Sequence, residues 1–330
     1  MERLRAWALP VVWMLASGCS RSTDPTDPPR PYPPPLTAPR PRPAVSASPS
    51  AHVETAVDAS TDATTVRAVD TSAYPWFADG SITALEPVDC LEDRFQPPSG
   101  YSRVSVSPGT FGAWLRRLPL AAPGTLVKSY AGGVLYEPGH PNIAAVVALD
   151  PGTADLQQCA DAVIRLHAEW QWSQGKRDMT WRAAAGTMPY ERWVKGDKPV
   201  AKGAALTWEP GKPRPRDDHA SFRRYLDAVF MFANTGSLAQ QARPVELADL
   251  SPGDFLIMPG SPGHTVLILD VAATAEGRKT VLLGQSYMPA QNFQVLRPSK
   301  SQTWFTIDPE EPGLKTPFWR RFPWSLLRRL

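Results

Sequence analysis

The apolar positions of this chain are bunched, and the bunching changes character twice. From Ala6 to Leu15 they form one run of about ten residues, preceded by Arg3 and Arg5 and followed by the small residues Ala16, Ser17 and Gly18. A helix that crosses a hydrocarbon core needs about twenty residues, so this short run with a positive start and small-residue end predicts a cleaved export signal over residues 1–18. From Ser20 to Thr71 no apolar period recurs. Eleven prolines fall between Ser20 and Ser50, and Ala, Ser, Thr and Asp follow. Such a segment buries too little surface to offset the entropy of ordering, and its prolines favour extended polyproline II, so residues 19–73 are expected to be a tether.

From Tyr74 the pattern is that of a folded domain, expected to run to Leu330. Gly124 to Tyr136 predicts a hairpin around Gly132-Gly133, and Ile143 to Leu149 is a short continuous apolar run of the buried-strand type. Asp155 opens the clearest helix, with Gln158 three residues on completing a capping box. Leu156, Cys159, Val163, Leu166 and Trp170 make one apolar stripe. Asp161, Arg165 and Glu169, four apart, are expected on the opposite face as a solvated ion-pair row. A second helix is predicted from Ser221 to Phe232 and a short third one capped by Ser237. Strands follow at Phe255–Met258, Thr265–Val271 and Thr280–Tyr287. Helices in the middle and antiparallel strands late predict an α+β fold.

Composition narrows the function classes. The net charge is only +3 and the basic residues are scattered, apart from Arg320-Arg321 and Arg328-Arg329, so no nucleic-acid footprint is present. The sequence has no P-loop and no dinucleotide fingerprint, and His140, Asp150 and Asp155 lack ligand spacing. No cofactor and no metal are expected.

Three cysteines remain to be placed. The string Leu15-Ala16-Ser17-Gly18-Cys19 resembles the lipobox of bacterial lipoproteins. That resemblance implies a Cys19 that carries acyl chains, becomes the mature N-terminus and anchors the protein to a membrane. Ser20 at the next position resembles the outer-membrane sorting pattern, which places the protein in the cell envelope. Cys90 and Cys159 are left as a pair that an oxidising periplasm permits to form a disulfide, or as free thiols.

The stretch most suggestive of chemistry is Gly253 to Asp270: an apolar strand, a Pro/Gly turn, and a second apolar strand that opens with His264. A histidine there stands at a strand mouth, rigidly supported yet reachable. Gln285 and Ser286 close the next strand. The glycine-aspartate strand, turn and glycine-histidine strand resemble the core of NlpC-type peptidases and amidases, which are papain-like cysteine hydrolases. The resemblance implies a central helix packed on an antiparallel sheet or partial barrel, with insertions. It also implies Cys159 as nucleophile, His264 as base and Gln285 as the residue that orients the base. A helix start and an imidazole both favour thiolate, so the chemistry is coherent. The pattern departs from that family at the nucleophile, where Gln158 precedes and Ala160 follows. Cys159 also falls about four residues inside the predicted helix, on its apolar stripe, which suits a packed core cysteine equally well. His167 is about 12 Å along the same helix from Cys159, too far to be its base, and His140 lies in a Pro/Gly turn. Gly284 to Met288 lacks the second glycine of a nucleophile elbow.

Over a longer span, about Arg94 to Phe318, the chain resembles an uncharacterised family of bacterial envelope proteins known as a domain of unknown function. The strings that carry this are Asp155 to Leu166, Gly253 to His264 and Gln285 to Gln291. The expectation is a membrane-tethered cysteine hydrolase, an amidase or peptidase acting on cell-wall peptides. The alternative is a non-catalytic binding or structural module.

Overall fold

The computed structural model describes residues 69–78, 85–203 and 205–330. The signal segment, Cys19 and most of the tether lie outside the described residues. All described residues belong to one compact unit, 57–330. No helix among them is long and apolar enough to cross a membrane.

The largest sheet among the described residues has nine strands. In chain order they are β1 (Ser102–Arg103), β2 (Ile143–Val146), β3 (Arg243–Pro244), β4 (Phe255–Met258), β5 (His264–Ala273), β6 (Lys279–Gln285), β7 (Gln294–Leu296), β8 (Phe305–Thr306) and β9 (Leu327–Arg329). They are ordered β3-β9-β4-β5-β6-β7-β2, with β1 beside β5 and β8 beside β6, and the pairings are antiparallel. The helices that matter here are α1 (Cys159–Ser173), α2 (His219–Phe232) and α3 (Thr235–Gln241).

The sheet has a hydrophobic core on each face, and strand alternation assigns residues to them. Phe255, Ile257, Leu267 and Leu269 join the residues of α1 and α2 in the larger core. Leu256, Val266, Ile268 and Leu283 join Phe322 and Leu327 in the smaller one. Burial on both faces is why these strands are continuous apolar runs, each buried large side chain contributing about 1.5–3 kcal/mol. A two-stranded hairpin, Gly313–Thr316 with Trp319–Pro323, lies outside the sheet and covers the smaller core. Its base is close-packed: a Cβ on Gly313 would fall 2.0 Å from the Phe322 carbonyl oxygen, so only glycine fits.

The expected papain-like α+β fold is not what forms. Strand exceeds helix, 32% against 24%, in a mostly β molecule built on one large antiparallel sheet with few helices. One strongly periodic helix dominates the pattern of the chain, whereas the many short strands pair across long separations that leave no period.

Two local features of α1 also differ from expectation. The helix begins at Cys159, with Gln158 as N-cap and a capping box formed by Gln158 and Asp161, so Cys159 occupies the first helical position. The predicted solvated row is buried: Arg165 and Glu169 have no exposed side-chain surface, and their ion pair spans 2.6 Å. Arg165 also reaches Asp150 at 3.3 Å and the Gln157 amide oxygen at 2.9 Å, while His219 Nε2 meets Glu169 at 2.8 Å. Periodicity marks which residues share a face but not whether a second layer covers it, and α2 covers this one. The third helix is capped by Asn234, with Ser237 reciprocating from inside.

Candidate active site

The start of α1 meets β5 where the neighbouring strand ends. β6 stops at Gln285, so beyond it β5 has no neighbour on that side, and the start of α1 fills the gap. Two contacts fix α1 there. Ser286 Oγ donates to the carbonyls of Gln157 (3.3 Å) and Gln291 (3.0 Å), and the Ala290 N–H donates to Asp155 Oδ1 at 2.7 Å. The Gln157 carboxamide is itself held, by Arg165 on its oxygen and by its own nitrogen on the Asp150 carbonyl at 3.0 Å. The three strings that mark the family resemblance therefore meet in space.

In this position the backbone N–H groups of Ala160 and Thr265 lie close enough to the Cys159 sulfur to favour its thiolate. Thr265 follows His264 directly. His264, the first residue of β5, turns its Nε2 to Gln285 Oε1 at 2.8 Å. A carboxamide oxygen only accepts, so Nε2 carries the proton and Nδ1 keeps the free lone pair. Nδ1 is buried and has no hydrogen-bond partner, so the expected thiol–imidazole hydrogen bond is not made. Both cysteines are free thiols, which removes the disulfide alternative.

The site is closed. Cys159 is 5% exposed, Gln285 2% and His264 0%. Burial, with Asp161 adding to it, pushes the Cys159 thiol up to about 12, against the pull of the backbone N–H groups. Burial likewise lowers His264 to about 4, opposed by Gln285. In this closed form both groups are neutral at pH 7. Asp161, two residues on, is also raised by burial, to about 8. Three rings line the far side of His264: Tyr287 at 4.8 Å, Trp319 at 5.0 Å and Phe322 at 6.1 Å between centroids. Sequence reasoning missed them, because the hairpin that brings Trp319 and Phe322 lies more than fifty residues away and carries no motif.

The remaining candidates sit elsewhere. His167 is enclosed by Phe111, Trp170 and Trp181, and burial drops it to about 3. His140 stacks on Phe318 at 5.5 Å and contacts Tyr136. The metal-donor group found among the described residues, Cys90 with Glu92 and Asp93, is internally committed: the thiol donates to Asp93 and Glu92 accepts from Arg117.

A family model described as a domain of unknown function (4846) matches residues 91–329. The chain belongs to that family. The match covers the whole nine-stranded sheet, α1 and the covering hairpin. No curated protein and no solved structure matches the chain.

Proposed function

We propose that this chain is a membrane-tethered envelope protein whose Cys159, His264 and Gln285 carry out cysteine-nucleophile hydrolysis of an amide bond in cell-wall peptides. The observation that carries the reading is the His264 Nε2–Gln285 Oε1 bond. It leaves the basic lone pair on Nδ1 of the residue that precedes Thr265, whose backbone N–H favours the Cys159 thiolate. Once solvent or substrate reaches the pair, Nδ1 takes the thiol proton and the sulfur attacks the carbonyl carbon. The amine leaves with that proton and a thioester remains. Water, deprotonated by Nδ1, then breaks the thioester and frees the acid and the thiol. The positive end of α1 favours the thiolate and the developing oxyanion. The envelope setting rests on the residue 1–18 pattern and on Cys19.

Closure of the site favours a second reading, a binding module that keeps the constellation without turnover. The two separate on amine release from cell-wall stem peptides by the full chain. Hydrolysis expected of the wild type should be lost in Cys159→Ser and His264→Ala. A wild type that retains bound peptide intact would support the binding module instead.

A further inference from the structure

A site that does chemistry has to admit a substrate, and the described residues include what stands in the way. The wall over His264 is not part of the nine-stranded sheet. It is the hairpin Gly313–Pro323, whose base is fixed by Gly313 against the Phe322 backbone and by the fully buried Phe322 side chain. Its tip is held differently. Phe318 contacts the Tyr136 ring (5.4 Å) and stacks on the His140 ring, and its carbonyl accepts a 3.3 Å hydrogen bond from the Tyr287 hydroxyl. Trp319 is half-buried against His264 and Tyr287, and its indole N–H is buried without a hydrogen-bond partner. A buried donor without a partner favours release to water. Swinging that ring out costs ring contacts and the Tyr287–Phe318 hydrogen bond at the tip, and it frees one polar group to reach water.

We propose that the Trp319 indole is a gate over His264, held shut by ring contacts at the hairpin tip and swung aside to admit an extended peptide. The hinge is the short turn between Thr316 and Trp319, while Phe322 and the smaller core stay packed. The identity of what passes the gate rests on the hydrolase reading; the gate itself does not. Gating by a side chain also accounts for the neutral resting imidazole, because burial beneath the ring disfavours its protonated form.

The test labels His264 in the full chain with diethyl pyrocarbonate and follows carbethoxylation by peptide mass spectrometry. The enclosed His167 serves as an internal control. Trp319→Ala should raise the His264 rate about tenfold or more with His167 unchanged, because local opening sets the reactivity of a buried group. Tyr287→Phe, which removes the hydroxyl bond to Phe318 and keeps the ring, should raise it by a smaller factor. An unchanged His264 rate in both variants overturns the gate. So does a parallel rise at His167, which would report general loosening. A gate that opens as expected in a protein that releases no amine would sink the hydrolase reading alone.

Discussion

His264 Nε2 and Gln285 Oε1 stand 2.8 Å apart, on neighbouring strands of one sheet, and that bond fixes which imidazole nitrogen is the base. Gln285→Leu keeps the size of the side chain and removes the acceptor. It leaves a buried ring N–H unpaired, at a cost of about 1–3 kcal/mol. It also frees the tautomer, so amine release should fall by about 10–100-fold, the range seen when an orienting partner is lost. Parallel urea unfolding and rate measurements check both, with kcat expected to change more than KM.

The buried pair of Arg165 with Glu169 and Asp150 supports the turn before Cys159 through Gln157. Arg165→Met strands two buried carboxylates, which should destabilise the fold by about 3–5 kcal/mol. Urea denaturation measures the loss. A change under about 1 kcal/mol, the range of exposed pairs, would mean that the network is solvated and does not position the helix.

Asp161 gives a pH dependence with a defined sign. Burial raises its carboxyl from 3.8 to about 8 in the folded chain. The folded state therefore holds the neutral form more tightly. That contribution is fully present below pH 3.8 and is lost as pH rises through about 8. Asp161→Asn removes the titration while keeping an acceptor for the Gln158 N–H. The variant should gain on wild type by a few kcal/mol between about pH 5 and pH 8, a tenfold difference in proton affinity being worth about 1.4 kcal/mol. Thermal or urea unfolding at the two pH values reads it, and a difference that stays constant would contradict the buried carboxyl.

The positions of His264 and Gln285 at strand ends were legible in the sequence, and the reasons are local. His264 at a strand mouth follows from the turn that precedes it and the apolar run that follows. Gln285 follows from where the next run ends. The start of α1 was misread because both Asp155 and Gln158 are competent caps. The choice between them is made by Ala290, which takes the Asp155 carboxylate for its own N–H and leaves Gln158 to Asp161. The fold class was not legible. The sheet joins β2 to β7, β9 to β4 and β1 to β5 across long stretches of chain, and no periodicity encodes such pairing. The aromatic cover over His264 escaped for the same reason.

The membrane anchor proposed from Cys19 makes a separate prediction. Cys19→Ser should move the protein from the membrane to the soluble fraction, because acyl chains at about 0.8 kcal/mol per buried methylene are the strong attachment. Fractionation of cells that express each form checks it. Membrane retention of the serine variant would remove the anchor.

The most direct measurement of the central claim is a search for the thioester. Full-length protein mixed with a cell-wall stem peptide and quenched in acid should carry, at Cys159 alone, the added mass of the acyl fragment. His264→Ala should show little of it and Cys159→Ser none. Amine release that persists in Cys159→Ser, or an acyl group found on another residue, would contradict the account.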